Sequence, residues 1–120
     1  MTQHSKLLMG WFCPTIGDTS AFGDASKSIA PSAEMFERVA LSAEKAGFDF
    51  MLVPVSPIWW AAWITAAYLA ARTSKLKYLV AIKPGQIHPV AHARMIATFD
   101  QLTQGRIYLN MIAGLSPQDA

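Results

Sequence analysis

A pair of histidines at helical spacing is the first feature of this sequence that could do chemistry. His88 and His92 stand four residues apart, so one face of a helix would carry both. No carboxylate accompanies them at ligand spacing, and His88 directly precedes Pro89, where a helix is expected to begin. His4 is the one other histidine, and the single Cys13 excludes thiolate metal sites and internal disulfides. We therefore predict no metal site, and a capping or solvated role for His88.

Motifs of the commoner catalytic mechanisms are missing from the 120 residues. There is no Gly-Lys-Ser/Thr phosphate loop and no serine in a nucleophile elbow, so no catalytic residue is assigned. The net charge is only +2 and its basic residues form no cluster, which argues against nucleic acid as a partner. Pro54 and Pro57 interrupt the uncharged run 50–71, which argues against a membrane span. The single cysteine and the absence of a signal peptide at residues 1–6 favour a cytoplasmic location.

The elements that must position any functional group alternate regularly between strand and helix. Short apolar runs at residues 7–13, 48–53, 76–82 and 106–112 are predicted to be buried strands. Residues 33–46, 57–72 and 89–102 are predicted to be helices, with Ser32 as the first N-cap and Gly47 as the first stop. Units of about 30 residues in this order indicate parallel strands with right-handed connections.

Two α/β architectures use this order of elements. A doubly wound sheet usually carries a Gly-rich turn after its first strand, and residues 14–18 lack that fingerprint. An eight-stranded barrel needs no such motif and typically has about 250 residues. We therefore predict that residues 1–120 are a single partial domain, the N-terminal half of a (β/α)8 barrel. Its active site is expected at the carboxyl ends of the strands.

The second and third predicted helices differ in how they should be covered. The second helix has no polar face, whereas a helix packed on a sheet normally exposes a polar face to solvent. Trp60, Ile64 and Tyr68 are therefore expected to meet a partner surface, and we predict a homo-oligomer. Trp63 is expected to pack within the fold. The inward face of the third helix is predicted to comprise Val90, Ala93, Met95, Ala97, Phe99 and Leu102.

Five groups of residues at the strand ends and in the third helix carry a resemblance to a known family. They are Trp-Phe-Cys-Pro-Thr at 11–15 with Gly-Asp at 17–18, Leu-Val-Pro at 52–54, Leu-Lys-Tyr-Leu-Val-Ala-Ile-Lys-Pro at 76–84, Ala-Arg-Met-Ile-Ala-Thr-Phe-Asp-Gln-Leu at 93–102 with Gly-Arg at 105–106, and Asn-Met-Ile-Ala-Gly at 110–114 with Pro-Gln-Asp at 117–119. In this order and spacing, nearly the whole chain resembles the bacterial luciferase-like flavin-dependent monooxygenases. Within them it is most similar to the alkanesulfonate monooxygenases.

The resemblance implies a two-component enzyme. A separate NAD(P)H-dependent reductase would supply reduced FMN, which activates O2 for the oxidation of a small-molecule substrate such as an alkanesulfonate or a related organosulfur or apolar compound. The family's anion-binding residues and FMN phosphate loops lie beyond residue 120, so the isolated chain is expected to be inactive. Two alternatives are a non-catalytic half-barrel that acts through assembly and a deazaflavin-dependent oxidoreductase of the same fold.

The resemblance also implies site residues. Asn110 matches an asparagine that contacts the flavin, although a strand-closing hydrogen bond to neighbouring backbone is the alternative role. The other positions expected at the flavin are Val55, Ser56, Ala81 and Asp119. Those expected in the substrate pocket are Trp11, Trp59 and Lys83.

The loop after the second strand departs from the sulfonate enzymes. Trp59, Trp60 and Ala61 replace a Cys, a Glu and an Asp, and Lys83 replaces an Arg. Two indole rings in place of a thiol and a carboxylate remove polar groups and add apolar surface. A lysine lacks the two parallel N–H donors with which arginine binds an oxyanion. A larger or less charged substrate is therefore expected.

Overall fold

The computed structural model describes residues 6–18, 20 and 23–113, and the predicted alternation of strands and helices is confirmed there. The strands are β1 (Gly10–Phe12), β2 (Phe50–Val53), β3 (Lys77–Ile82) and β4 (Ile107–Met111). The α-helices are α1 (Ala33–Lys45), α2 (Ala62–Ala70) and α3 (Pro89–Thr103), and a 3-10 helix covers Ala25–Lys27. All strand pairs are parallel, in the order β1-β2-β3-β4. None of the helices described is long and apolar enough to cross a membrane.

The sheet has one face covered by helices and one inner face that the helices do not cover. Successive strand residues point to opposite faces, so Tyr78, Val80 and Ile82 lie under the helices, where each is at most 5% exposed. The residues between them in sequence belong to the inner face. One row across the inner face, in register, consists of Phe12, Leu52, Leu79 and Tyr108. This row is the expected interior of a barrel of which these strands form part.

Helix α1 begins and ends where the sequence predicts. The Ser32 hydroxyl accepts a hydrogen bond from the Met35 amide at 3.1 Å, which satisfies one of the free N–H groups of the first turn. Gly47 follows the helix with a φ of 87°, a conformation that glycine adopts without strain. Met35 and Phe36 on the apolar face of the helix are buried against the sheet.

Helix α2 is shorter than predicted, because it begins at Ala62 and not at Pro57. Ala61 stands at the N-cap with a ψ of 123° and has no side chain that could cap the helix. The two indoles before it pack in different directions, Trp59 with Phe12 and Trp60 with Phe36. These contacts hold residues 57–61 as a loop, and proline suits such a turn as well as it suits a helix start.

Helix α3 is placed as predicted, but its inward face is different. Its buried residues are His92 and Phe99, both of which contact Trp63 of α2. The bulky Trp63 thus sets the face that α3 turns inward. The predicted burial is confirmed for Phe99 and wrong for Val90, Ala93, Met95, Ala97 and Leu102. Val90 and Leu102 are 66% and 81% exposed, so α3 carries apolar surface outside the core.

Two charged side chains tie the helices to the amino ends of the strands. One Glu44 carboxylate oxygen accepts hydrogen bonds from the backbone N–H groups of residues 74–76 at 2.7–2.9 Å. Arg106 donates to the Ala70 carbonyl oxygen at 2.6 Å and to the Thr73 hydroxyl at 3.1 Å. Burial of Glu44 opposes its ionisation, but the backbone donors outweigh that effect and lower its pKa below the ordinary value. These bonds fix the turn between α2 and β3.

Aromatic side chains fill the inner face at its amino end. The Phe50 ring lies directly over Gly10, so that a β-carbon at position 10 would collide with it. The same ring meets Tyr108 edge-on, with 6.2 Å between ring centroids. Lys77 donates a hydrogen bond from Nζ to the Tyr108 hydroxyl at 3.2 Å. The inner face is therefore packed at this end, and space for a ligand lies at the other.

Candidate active site

A cavity of about 400 Å³ opens at the carboxyl ends of β2 and β3. Its walls come from the β2–α2 loop, the end of β3, the loop after β3 and the facing turns of α2 and α3. The residues singled out from the sequence that line it are Val55, Ser56, Trp59, Ala81 and Lys83. The structure thus gathers flavin-site and substrate-pocket candidates around one space, at the end of the sheet where ligands of parallel α/β folds bind.

The wall of this cavity is mostly apolar and holds a few polar groups. Val55, Trp59 and Ile87 supply much of the apolar wall, while Ser56 and Lys83 are among the polar side chains. Lys83 is only 8% exposed although it carries an ammonium group. Such a lining, apolar with a few polar side chains, is typical of small-molecule sites.

Asn110 lies on the inner face next to this cavity. It pairs in register with Ala81 of β3, which lines the cavity and projects only a methyl group beside it. The Asn110 amide makes no hydrogen bond to any of the residues described, so the alternative of bonding to neighbouring backbone is not observed. An amide in this state offers both a donor and an acceptor to a ligand.

Trp59 connects the cavity wall to the inner face of the sheet. Its ring meets that of Phe12 edge-on, with 6.4 Å between centroids and an interplanar angle of 88°. Trp60, the next residue, turns away and packs on Phe36 of α1 at 5.0 Å between centroids. The adjacent indoles therefore have different roles, since Trp59 bounds ligand space and Trp60 anchors the loop.

A buried histidine that the sequence did not mark as a site residue also lines the cavity. His92 is 9% exposed, and its Nε2 accepts a hydrogen bond from Nε1 of Trp63 at 2.8 Å. The packing role predicted for Trp63 is confirmed by its contacts with His92 and Phe99. The capping role of His88 is confirmed as well, because its Nδ1 accepts from the Val90 amide at 3.2 Å.

His92 lies one helical turn after the capping His88, but its place beside Trp63 depends on how α2 and α3 pack, and no local pattern indicates it. Within residues 6–18, 20 and 23–113, no group of three or more His, Cys, Asp or Glu side chains is placed to hold a metal ion.

Trp11 is not among the residues that line the cavity. Trp11 lies on the helix-covered side of β1, where its ring contacts Phe48 at 5.4 Å between centroids. Successive residues of a strand face opposite ways, so the inner-face neighbour is Phe12. Asp119 lies outside the described residues. Cys13 is fully buried, and burial raises the pKa of its thiol to about 12, which keeps it a neutral packing residue.

A second apolar space lies on the outer surface, between α2 and α3. This α2–α3 groove has a volume of about 620 Å³ and includes Ile64, Ala67, Ala91, Met95 and Leu102. Ile64 is 74% exposed, in agreement with a second helix that has no polar face. The groove is lined by residues of α2 and α3 alone, and it shares Ile64 and Met95 with the cavity.

The described residues fit a flavin ring. The row that contains Phe12, Leu52 and Leu79 offers an apolar surface, and Asn110 offers a donor and an acceptor that no described residue occupies. Asn110 is in register with Ala81, whose small side chain is part of the cavity lining. An apolar surface with a few fixed polar groups suits a flat ring with one polar edge.

A parallel sheet with a ligand cavity at the carboxyl ends of its strands defines part of an α/β barrel with a binding site at its mouth. Residues 9–120 match the family of luciferase-like monooxygenases, and the chain belongs to that family, as its strand-end residues predict.

Solved structures support the fold. EDTA monooxygenase (EmoA) from Chelativorans sp. BNC1 superposes with a TM-score of 0.76 at 18% identity, covering 94% of this chain and 31% of that one. Long-chain alkane monooxygenase (LadA) gives a TM-score of 0.75 at 17% identity, over 98% of this chain and 33% of that one. Riboflavin lyase (RcaE), solved with modified FMN and riboflavin, gives a TM-score of 0.70 at 23% identity, over 90% of this chain and 30% of that one. The chain spans about a third of their length, and the predicted barrel class is confirmed.

Proposed function

We propose that this chain forms the N-terminal half of the barrel of a two-component monooxygenase that uses reduced FMN and O2. The observation that carries the proposal is the meeting of Val55, Ser56, Trp59, Ala81 and Lys83 around one cavity beside Asn110. Membership of the luciferase-like monooxygenases supports it independently. An NAD(P)H-dependent FMN reductase is the partner that such an enzyme requires, and we propose a cytoplasmic location for both.

The flavin ring is proposed to lie against the inner face near Ala81. When bound in its reduced form, FMN supplies the electrons that activate O2. Asn110 would bind the polar edge of the ring, and Val55 and Ser56 at the end of β2 would complete the contact, with Asp119 as a further proposed position. The apolar wall would keep water from the reaction space.

The substrate is proposed to occupy the part of the cavity between Trp59 and Lys83. The Trp59 indole provides apolar contact area, and Ser56 and Lys83 add polar side chains to the same lining. An alkanesulfonate or a related organosulfur compound combines both features. We do not include Trp11 in the proposed pocket, because its ring contacts Phe48 on the helix-covered face of the sheet.

Substitution of Asn110 tests the flavin site. We expect Asn110→Ala to weaken FMN binding about tenfold, since the lost hydrogen bonds are worth roughly 1–2 kcal/mol. Binding is measured by fluorescence titration, together with reductase-coupled O2 consumption. The matched control is Gln101→Ala, which removes an exposed amide on α3. Equal FMN affinity of Asn110→Ala and the wild type would remove Asn110 from the site, and preferential use of a deazaflavin would favour that branch instead.

Isolation of the 120-residue chain tests the rival, non-catalytic function. Strands β1 and β4 are unpaired on their outer sides within the described sheet, and the inner-face row of aromatic and aliphatic residues has no covering element there. We propose that the chain alone neither binds FMN tightly nor turns over, and that a complete barrel containing it does both. Tight binding and turnover by the isolated chain would contradict the proposal.

The α2–α3 groove favours an additional role in assembly. We propose that a second copy of the protein covers it, because apolar residues such as Ile64 and Leu102 are largely exposed along it. Helix α2 contributes no charged residue that would keep this surface in water.

A further inference from the structure

We propose that Met95 and Ile64 determine how long an apolar ligand the cavity can accept, because they form a movable wall between the cavity and the α2–α3 groove. The inference rests on the proposed function, since it concerns the same cavity. It assigns two residues that determine specificity, and it assigns the groove behind them as additional space for the apolar end of a bound compound.

The first step concerns the position of the two spaces. The cavity of about 400 Å³ and the groove of about 620 Å³ have Trp63, Ile64 and Met95 in common as lining residues. A side chain that lines two spaces lies between them. The cavity and the groove are therefore neighbours, and side chains of α2 and α3 form the wall that separates them.

The second step concerns which parts of this wall can move. Trp63 is held in place, because its Nε1 donates to His92 Nε2 at 2.8 Å and its ring contacts that of Phe99 at 5.8 Å between centroids. Met95 and Ile64 are 37% and 74% exposed, and exposed side chains change rotamer rapidly. Methionine is also unbranched, with three rotatable bonds. The wall thus has one fixed member and two that can change conformation.

The third step concerns the space behind the wall. There the groove is lined by Ala67, Ala91, Arg94, Thr98, Phe99 and Leu102. Most of these side chains are small or apolar, and Leu102 is 81% exposed. A ligand chain that passed the wall would cover this surface, and each methylene group that it buries strengthens binding about fourfold. The second copy proposed for the groove would shield the same space from water.

Chain-length profiles test the inference. Binding of n-alkan-1-ols, which are neutral probes of length, is followed by tryptophan fluorescence, since Trp59 and Trp63 line the cavity. In the wild type, affinity should rise about fourfold with each methylene and stop rising at the length that fills the cavity. In Met95→Ala the rise should continue. An alcohol two carbons longer than the wild-type limit should then bind about 15-fold more tightly than it binds to the wild type.

Two further single variants accompany Met95→Ala. Met95→Leu approximately conserves the volume of the side chain and should retain the wild-type length limit. Ile64→Ala shortens the other movable member of the wall and should extend the limit as Met95→Ala does. The inference can therefore be tested even if one of the two alanine variants fails to fold.

A double variant distinguishes entry into the groove from a cavity that is merely larger. Ala67 lines the groove but not the cavity, so Ala67→Phe fills space in the groove alone. By itself this substitution should leave the length limit unchanged. Combined with Met95→Ala, it should return the limit close to that of the wild type. A limit that stays extended in the double variant would overturn the role of the groove.

Flavin-dependent O2 consumption is measured on the same variants. An unchanged length limit in both Met95→Ala and Ile64→Ala, with normal flavin-dependent oxidation, overturns the inference and leaves the proposed function standing. A limit that shifts as expected, in a protein whose wild type shows no FMN-dependent oxidation, overturns the proposed function and leaves an apolar site that selects ligands by length.

Discussion

At the scale of single residues, two residues that are adjacent in a strand lie on opposite faces of the sheet and so have different surroundings. Trp11 and Phe12 are adjacent aromatic residues, but one contacts Phe48 under the helices and the other contacts Trp59 beside the cavity. Both residues belong to the same stretch that resembles the family, so the resemblance alone does not tell which of them faces the cavity. A strand's alternation assigns them to faces only when its register is known, and a register shift of one residue exchanges the two.

Cys13 provides a prediction at this scale. Its thiol is fully buried and its pKa is raised to about 12 by burial, so we expect no reaction with a thiol reagent in the folded protein at pH 8. Reaction should become rapid after unfolding in urea, as followed by absorbance with a disulfide reagent. Fast labelling under native conditions would show that Cys13 is accessible.

The same burial makes stability depend on alkaline pH. A thiol whose folded-state pKa exceeds its unfolded value of 9.0 binds its proton more tightly in the folded state, so stability falls as pH rises above 9. Burial also raises the pKa of the Tyr78 hydroxyl from 10.0 to about 12, which acts in the same direction. Urea midpoints measured from pH 8 to pH 11 should therefore decrease, and less so in Cys13→Ala when corrected for its lower baseline.

At the scale of elements, polar caps and glycines were better guides than apolar spacing. Ser32 and Gly47 mark the ends of α1 correctly because each satisfies a local backbone requirement that no distant contact overrides. The start of α2 and the inward face of α3 depend on where Trp60 and Trp63 find space. Those partners are distant in sequence, so periodicity alone could not identify them.

Glu44 provides a prediction at the scale of elements, because it joins α1 to the turn before β3. Glu44→Gln leaves backbone N–H groups of residues 74–76 with a weaker acceptor and should lower the free energy of unfolding by roughly 1–2 kcal/mol at pH 7. Urea unfolding measures the effect. Glu34→Gln, an exposed carboxylate at the start of α1, is the control and should change stability by only a few tenths of a kcal/mol.

The effect of Glu44 should disappear in acid. Its folded-state pKa lies below the ordinary value of 4.5, so its contribution is present above that pH and is lost as pH falls through the folded-state pKa. Wild type and Glu44→Gln are therefore expected to converge in stability below that range. A constant difference at all pH values would show that packing, and not the carboxylate charge, causes the loss.

At the scale of the whole molecule, class and family could be read from the order of elements and from strand-end residues, whereas the shape of the site could not. Val55, Ser56, Ala81 and Lys83 belong to separate strand ends, and parallel topology brings them to one edge. His92 joins them only because Trp63 turns α3 inward at that point. Residues at strand ends carry no information about a contact between two helices, so the sequence did not indicate His92 as part of the site.

Assembly provides the prediction at this scale. If a second copy covers the α2–α3 groove, Ile64→Lys should shift the protein toward monomer by placing a charge in an apolar interface. Light scattering coupled to size-exclusion chromatography measures the mass. Ile29→Lys is the control, since that residue is 57% exposed in the loop before α1 and outside the groove. An unchanged oligomer in Ile64→Lys would place the interface elsewhere.

The separation between the two ends of the sheet has a consequence for evolvability. Glu44, Arg106 and the Phe50 ring over Gly10 secure the amino ends, whereas the cavity draws on loops at the carboxyl ends. Diversification of positions 55–61 can therefore proceed without loss of the bonds that hold the strands in place. A combinatorial library confined to that loop is the natural starting material for selecting new substrate preferences.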